Sequence, residues 1–218
     1  MSYQKQEIFP GLWKYSNVFT KKPNLISTVE NAIQDSNGKY QWNDAEVGHD
    51  DIIKDYRDCK DFKLGRFENQ PADEYTLVFD QVWKDILELQ DPAVKEYCNF
   101  YNIKMDFCEW INVVKYGPNQ YFKEHADHGY SYVSTVSLVG YPNKDYVGGS
   151  LYFPKLGINI EPEEGDLYIF PSTYLFSHVA MPVQSGVKYS FVTMLDYNDY
   201  THTDEYEQFI KNKYLGGK

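Results

Sequence analysis

The chain has 218 residues, of which 42% are hydrophobic and 17% aromatic, and its 32 acidic against 21 basic side chains give a formal net charge of −11 at pH 7. This apolar content excludes an intrinsically disordered chain, and the acidic balance argues against a nucleic-acid binder, which needs clustered Lys and Arg to neutralise phosphates. No apolar run reaches the roughly 18 residues of a membrane-spanning helix, so we expect neither a nucleic-acid nor a membrane partner.

The first half of the chain is predicted to be mixed, with helices as its clearest elements. A helix is predicted over 24–34, and a polar, loop-rich passage over 35–60. From Tyr75 onwards, apolar residues recur at the i, i+3, i+4 and i+7 spacing of an amphipathic helix. Asp91 and Pro92 match an N-cap and a first helical position, so a further helix is predicted to begin there.

From about residue 107 the pattern changes to short runs rich in Val, Tyr, Phe, Ile and Thr, separated by turns that contain Gly or Pro. These runs cover 107–116, 132–141, 150–154, 166–172, 178–183 and 188–195. Many short strands without helices between them predict an antiparallel sandwich or barrel. A closing helix is predicted over 204–214. We therefore expect a mixed, helical support region over 1–103 and a β-core with a C-terminal helix over 104–218, together one structural unit.

A histidine with an aspartate two residues later can place both side chains on one face of a strand, where both contact the same metal ion. Three such triplets occur, beginning at His49, His125 and His202, and the triplet alone is weak evidence. His49 falls in the loop-rich passage, and His202 immediately precedes the closing helix, so both are expected to be dispensable. Only the pair His125 and Asp127 lies between two predicted strands. His128 would point away from this pair, and we expect it at the rim.

The third ligand is expected from a distant strand, and His178 begins the run 178–183. Two imidazoles and one carboxylate form the facial triad of non-haem Fe(II) oxygenases, although the same ligands can hold Zn(II) for hydrolysis. Lys188 follows His178 by ten residues, inside an otherwise apolar strand. A lysine there is costly unless it is paired, which favours a binding role for it.

Further residues complete an ordered pattern across about 107–196. In chain order these are Tyr116, His125-Ala126-Asp127, Gly148-Gly149 before an aromatic strand, Gly165-Asp166, His178 and Lys188. The pattern resembles the Fe(II)/2-oxoglutarate-dependent oxygenases, specifically the prolyl 4-hydroxylase-like branch. Ser150 is a departure, because many relatives carry glutamate after the two glycines, and it affects the expected substrate contacts rather than the iron site.

The resemblance implies a double-stranded β-helix, a jelly-roll or cupin-like barrel that is mainly β, with an N-terminal α-helical flank. It implies that His125, Asp127 and His178 hold Fe(II). It also implies that Lys188 pairs with the far carboxylate of 2-oxoglutarate and that Tyr116 adds a hydrogen bond, with Ser190 as a further contact. O2 is the second cosubstrate, and ascorbate is expected as a reductant.

The reaction implied is hydroxylation of an unactivated C–H bond of a prolyl residue in a peptide or protein, with release of succinate and CO2. A small molecule such as a free amino acid is the competing substrate. The loops 129–132 and 141–148 are expected to form the substrate walls. Two other classes stay open: a cupin-like metal hydrolase or isomerase that does not use 2-oxoglutarate, and a non-enzymatic jelly-roll binding module.

Two features of the sequence predict a cytoplasmic location. Residues 1–16 lack the apolar segment of a secretory signal. Cys59, Cys98 and Cys108 are an odd, widely spaced set without a CxxC pair, and we expect them to be reduced. Because the acidic, tyrosine-rich composition is similar to that of phage-encoded family members, the host cytoplasm is the corresponding expectation for a phage gene.

Overall fold

The computed structural model describes residues 3–48, 51–65, 72–129 and 132–214. The helices are α1 (Leu25–Asp35), α2 (Glu74–Tyr101) and α3 (Asp204–Tyr214). The strands are β1 (Gln4–Phe9), β2 (Leu12–Ser16), β3 (Asn43–Asp44), β4 (Arg57–Asp58), β5 (Lys60–Leu64), β6 (Phe107–Tyr116), β7 (Tyr121–His125), β8 (Val136–Gly140), β9 (Tyr146–Gly148), β10 (Leu151–Phe153), β11 (Ile158–Ile160), β12 (Leu167–Pro171), β13 (His178–Ala180), β14 (Val183–Gly186) and β15 (Lys188–Asp196). No described helix is long and apolar enough to cross a bilayer.

The described strands form two large sheets and one small one. The main sheet has the order β1-β2-β12-β8-β15-β6-β5-β3, the second sheet β11-β10-β13-β7-β4, and β14 pairs with β9. From β6 onwards the chain passes repeatedly between the main sheet (β6, β8, β12, β15) and the second sheet (β7, β10, β13). This alternation is that of a double-stranded β-helix, the fold that the family resemblance implied.

Alternate residues of the main sheet face opposite ways, and this alternation separates the core from the site. On β6, Ile111 and Val113 are buried in a large apolar cluster that includes residues of α1 and α2. The residues between and beyond them, Asn112, Val114 and Tyr116, line a cavity on the other face of the strand. Helices α1 and α2 therefore pack on one face of the main sheet, and the opposite face lines the cavity.

Helix α1 begins and ends within one residue of the predicted 24–34, and its buried face includes Val29 and Ile33. Helix α3 spans the predicted 204–214. Thr203 caps α3, since its Oγ1 accepts a hydrogen bond from the backbone N–H of Tyr206 at 3.2 Å.

The prediction that a further helix begins at Asp91 and Pro92 is wrong, because α2 continues through Pro92 for 28 residues in all. Its buried face continues on both sides of the proline, with Gln90 and Ala93 each 1% exposed. Gln90 also accepts a hydrogen bond from Thr193 of β15 at 3.1 Å. Packing against the main sheet outweighs the one backbone hydrogen bond that a proline removes.

Residues 3–65 contribute strands to both large sheets. β1 and β2 extend the main sheet at one edge, β3 and β5 extend it at the other edge, and β4 pairs with β7 in the second sheet. β3 and β4 have two residues each and lie in the passage predicted as loop-rich. Such short polar strands carry no period that a sequence reading can detect.

Candidate active site

The side chains of His125, Asp127 and His178 come together from two neighbouring strands. β7 and β13 are antiparallel, and His125 lies directly opposite His178 in their register. Asp127 follows two residues after the end of β7. One ligand atom from each of the three residues lies within 4.8 Å of the others. Asp127 Oδ1 is 3.7 Å from His125 Nε2 and 4.0 Å from His178 Nε2.

Both imidazoles are oriented by the same local contact. His125 Nδ1 lies 2.8 Å from the carbonyl oxygen of Lys123, and His178 Nδ1 lies 3.1 Å from that of Phe176. A carbonyl oxygen only accepts, so each Nδ1 carries the proton and each Nε2 presents a lone pair. Burial, together with the neighbouring His178, lowers the pKa of His125 to about 3. His125 is therefore neutral, which is the form that binds a metal.

Asp127 supplies the test of whether a metal ion fits here. Its side chain is buried, and its Oδ2 has no hydrogen-bond partner among the described residues. A buried carboxylate without a partner is costly, whereas a bound cation would compensate its charge. Two neutral imidazoles and one carboxylate are the donor set of non-haem Fe(II) sites. The residues present therefore fit Fe(II).

Next to the three ligands lies an inner cavity of about 70 Å³, lined mostly by residues of β6, β7, β13 and β15. Lys188 and Ser190 of β15 lie on its wall together with Tyr116 of β6, which pairs with Lys188 in register. These are the three residues that the resemblance implied for the cosubstrate. Lys188 is 1% exposed and Ser190 is 3% exposed.

Lys188 is a buried amine without a carboxylate partner among the described residues. Its Nζ donates to the carbonyl of Gly149 at 2.8 Å and lies 4.5 Å from the ring centroid of Tyr116. No carboxylate of the described residues lies within 4.0 Å of it. Burial lowers the pKa of Lys188 to about 7. A ligand carboxylate would supply the missing counter-ion, so this wall fits one end of 2-oxoglutarate.

The two glycines of the motif allow close packing, and Gly149 makes room for Lys188. Gly149 has φ +68°, and a Cβ added there would lie 3.1 Å from Lys188 Cδ. Gly148 has φ +76°, and a Cβ there would lie 2.8 Å from the carbonyl oxygen of Pro182. Side-chain-bearing residues rarely adopt this backbone conformation. Ser150, which follows the glycines, is buried and donates to Asn159 Oδ1 at 2.9 Å.

An outer cavity of about 260 Å³ continues from the inner one. Residues lining both cavities include Arg57, Asn112, Phe122, His125 and Asp127. The remaining outer wall contains aromatic and charged side chains, many of them from residues before 65. These are Glu46, Val47, Gly48, Tyr56, Asp61, Lys63, Trp110, Ala126, Gly129 and Tyr132. The sequence reading missed the contribution of 46–63, because nothing in this loop-rich passage matches a motif.

The predicted substrate walls are only partly found at this cavity. Gly129 and Tyr132 line it, while the two residues between them lie outside the described ranges. From the stretch 141–148, Tyr141 lines the inner cavity and no residue lines the outer one. The Tyr146–Gly148 part of that stretch forms β9 and pairs with β14 instead.

The other described histidines lie outside this group. His49 lies outside the described residues. His128 is exposed, and its Nδ1 lies 2.7 Å from the carbonyl oxygen of Ser134. His202 stacks on Phe107 and places Nε2 3.2 Å from Asp196 Oδ2. His202 thus has a packing role beside the last strand.

Asp166 of the Gly165-Asp166 pair also has a structural role. Its Oδ2 lies 2.7 Å from Lys14 Nζ and accepts a hydrogen bond from Tyr168 at 2.9 Å. These contacts join β12 to β2 within the main sheet. The pair is therefore part of the scaffold and lies outside both cavities.

Comparisons with known proteins agree with this geometry. Residues 111–195 match the model of the 2OG-Fe(II) oxygenase superfamily. A protein of Acanthamoeba polyphaga mimivirus, described as a prolyl 4-hydroxylase, is 31% identical over 120 residues, which cover 45% of this chain and 49% of the viral protein. The chain thus spans about half the length of that relative.

Solved structures resemble the fold over most of the chain. A prolyl hydroxylase from Trichoplax adhaerens, in complex with a peptide fragment of hypoxia inducible factor, has a TM-score of 0.66 at 15% identity, covering 91% of this chain and 86% of its own. A prolyl-4-hydroxylase from Pseudomonas putida has a TM-score of 0.62 at 18% identity, covering 85% and 92%. At this level of identity, the likeness establishes the fold.

Proposed function

We infer that the chain is a 2OG-Fe(II) oxygenase of the prolyl hydroxylase type, and we propose that it hydroxylates a prolyl residue in a peptide or protein. The observation that carries the proposal is one continuous space that connects a His-Asp-His group to a buried lysine, for which the described part of the chain offers no carboxylate partner. The His-Asp-His group fits Fe(II), and the buried lysine fits a carboxylate of 2-oxoglutarate. Each arrangement leaves a buried charged group uncompensated when it is empty, which is costly.

We propose His125, Asp127 and His178 as the iron ligands. Each histidine is fixed in the tautomer that presents Nε2, through its contact with the backbone carbonyl two residues earlier. Asp127 contributes the anionic donor and is held beside both imidazoles. With three protein donors, half of an octahedral coordination sphere is left for cosubstrates.

Lys188 is proposed to bind the far carboxylate of 2-oxoglutarate at the inner end of the cavity. In this water-poor setting, a charge-assisted hydrogen bond is stronger than at the surface. Burial raises the pKa of Tyr116 well above its ordinary value, so its phenol stays neutral and can donate to the same ligand. Ser190, on the same face of β15, is proposed as a weaker contact.

Fe(II), 2-oxoglutarate and O2 supply the oxidising chemistry when bound, releasing succinate and CO2 as one oxygen atom enters a substrate C–H bond. The chain's own task is to orient these groups and to limit access of water. The inner cavity does this with apolar walls that include Val114, Leu151 and Val192. Ascorbate as a reductant stays a prediction.

The outer cavity supports a peptide substrate. Its aromatic side chains Tyr56, Trp110 and Tyr132 offer flat apolar surfaces to a proline ring. Its charged side chains are arranged in pairs, with Lys63 Nζ 3.2 Å from Glu46 Oε2. A neutral residue within a chain suits such a wall better than a free amino acid, which brings two charges of its own.

The alternatives are less well supported. A cupin-like hydrolase or isomerase without 2-oxoglutarate would leave Lys188 buried without a counter-ion, and a non-enzymatic binding module would leave Asp127 in the same state. We also propose that 1–103 and 104–218 form one unit, because the main sheet includes strands from both. A cytoplasmic location is part of the proposal, supported by free thiols at Cys59, Cys98 and Cys108.

The proposed function is tested by incubating the Fe(II)-loaded protein with 2-oxoglutarate and a library of proline-containing peptides. The expected result is a gain of one oxygen on proline, accompanied by an equal amount of succinate. Oxygen that appears only on other residues or on free amino acids would contradict the assignment of a prolyl substrate but would still support oxygenase activity. Absence of succinate under every condition would contradict the oxygenase itself.

A further inference from the structure

Arg57 occupies the wall where the two cavities meet, and nothing in the family pattern accounts for it. It belongs to β4, and its register partner in β7 is Phe122. Its guanidinium carbon lies 4.7 Å from the centroid of the Phe122 ring. That ring in turn stacks on the imidazole of His125, with centroids 3.5 Å apart and planes at 14°. Arg57 is thus one aromatic ring away from a proposed iron ligand.

The donors of Arg57 are only partly used by the protein. Nη1 donates to the carbonyl of Glu46 at 2.6 Å, and Nη2 lies 3.7 Å from Asp61 Oδ2, which is beyond hydrogen-bond length. Nε is buried without a hydrogen-bond partner among the described residues. Against the opposing effect of burial, the Cys59 thiol raises the pKa of Arg57 and is its main favourable electrostatic neighbour. A guanidinium has five N–H donors, so this residue retains hydrogen-bonding capacity at the junction of the cavities.

Charge compensation indicates what kind of acceptor Arg57 would bind. The formal charges of Fe(II), Asp127, Lys188 and the 2-oxoglutarate dianion cancel one another. Arg57 and Asp61, with side chains 14% and 7% exposed, form a second pair whose charges cancel. An additional carboxylate at Arg57 would leave a net negative charge in a poorly hydrated site, which is unfavourable. A neutral acceptor is the better match.

Resting on the proposed function, we propose that Arg57 is a substrate-positioning residue that donates a hydrogen bond to a backbone carbonyl next to the reacting residue. Asp61 and the Glu46 carbonyl hold the guanidinium in place, and Phe122 separates it from His125. A donor fixed at this point would set how deeply the peptide enters the inner cavity. Arg57 therefore governs substrate binding, whereas Lys188 governs cosubstrate binding.

The test uses the full chain and the capped peptide acetyl-Ala-Ala-Pro-Ala-Ala-amide. A charge-assisted hydrogen bond corresponds to roughly 10- to 100-fold in binding, so Arg57→Met should raise the peptide KM by about that factor. Because the bond forms equally in ground and transition states, kcat should change by less than about threefold. The Kd of 2-oxoglutarate for the Mn(II)-loaded variant should stay within about twofold of the wild-type value. Arg57→Lys should give an intermediate KM.

A matched control and a second measurement separate positioning from folding. Lys60→Met removes another cation of the same segment, one that pairs with Asp44 outside both cavities, and should leave KM and kcat unchanged. In the wild type, replacing the carbonyl on one side of the proline by a thiocarbonyl, a weaker acceptor, should raise KM at least about threefold.

The inference is overturned if Arg57→Met leaves the peptide KM within twofold, or if neither thiocarbonyl peptide differs from its parent. It is also overturned if Arg57→Met and Arg57→Lys weaken the binding of 2-oxoglutarate as much as they weaken the binding of the peptide, since Arg57 would then contact the cosubstrate. A wild type that fails to convert 2-oxoglutarate would contradict the proposed function instead.

Discussion

The inner and outer cavities share part of their walls and differ in the segments that supply the rest. The inner one is lined mostly by β6, β7, β13 and β15, which carry the ordered motif residues. The outer one takes much of its wall from 46–63, where no motif was found. Under the proposed function, the residues for the chemistry and most of those for the choice of substrate therefore lie in different segments. Substitutions of residues that line only one cavity should leave the properties of the other largely intact.

The largest effect on activity is expected from the removal of a proposed metal ligand in the inner cavity. His178→Ala should abolish iron-dependent turnover, because a site of two donors cannot hold Fe(II) in an open facial arrangement. Mn(II) binding, followed by calorimetry, should be lost together with activity. His128→Ala is the matched control, since His128 is exposed and outside the group, and it should retain both. Full activity in His178→Ala would contradict the assignment of the triad.

A smaller effect is expected at the far end of the inner cavity. Lys188→Ala removes a charged hydrogen bond of roughly 1.5–3 kcal/mol, so the Kd of 2-oxoglutarate should rise about 10- to 150-fold. Tyr116→Phe removes a neutral donor of roughly 0.5–1.5 kcal/mol and should cost about 2- to 12-fold. Titration of 2-oxoglutarate into the Mn(II)-loaded variants measures both. If the cosubstrate affinity is unchanged in Lys188→Ala, the inner cavity is not the 2-oxoglutarate site, and the proposed division of roles between the cavities is wrong.

The pH dependence of cosubstrate binding should follow Lys188 alone. Burial lowers its pKa to about 7 in the empty protein, and the dicarboxylate ligand favours the charged form and so raises that pKa. The affinity for 2-oxoglutarate should be constant below pH 7 and should fall up to about tenfold per pH unit above it. Lys188→Arg, whose guanidinium does not titrate in this range, should show a flat profile. A flat wild-type profile from pH 6 to 9 would contradict this expectation.

The smallest effect is expected at the aromatic wall of the outer cavity. Trp110→Ala removes one apolar surface for a proline ring, a contact of roughly 0.5–1.5 kcal/mol, so the peptide KM should rise about 2- to 12-fold. The 2-oxoglutarate Kd should stay at the wild-type value, because Trp110 lines only the outer cavity. Parallel measurements of both constants test this. An equal rise in both would show that the two cavities are coupled.

Part of the arrangement at the inner cavity could be predicted from strand geometry. Lys188 and Ser190 share one face of β15, as the period of two residues requires. The position of Tyr116 opposite Lys188 depends on the register between β6 and β15, which the sequence alone does not give. The pairing of His125 with His178 could not be predicted from local sequence patterns. The two residues are 53 positions apart, and the register of β7 and β13 brings them together. The ordered family pattern, rather than periodicity, supplied that link.

The outer wall was not predictable for a physical reason. β3 and β4 are polar two-residue strands that form by pairing with β5 and β7, so their own sequence carries no period. Arg57 reaches its position through this pairing and through contacts with Glu46 and Phe122. The continuation of α2 past Pro92 is a second case in which packing against the main sheet overrides a local signal.

The central claim is that the group of His125, Asp127 and His178 acts together with the Lys188 cavity in Fe(II)-dependent conversion of 2-oxoglutarate. The most direct measurement is succinate formation by the purified chain loaded with Fe(II) or with Zn(II). The account predicts succinate with Fe(II), none with Zn(II), and none with Asp127→Ala under either metal. Succinate formation that persists in Asp127→Ala, or its absence from the Fe(II)-loaded wild type, would contradict the account.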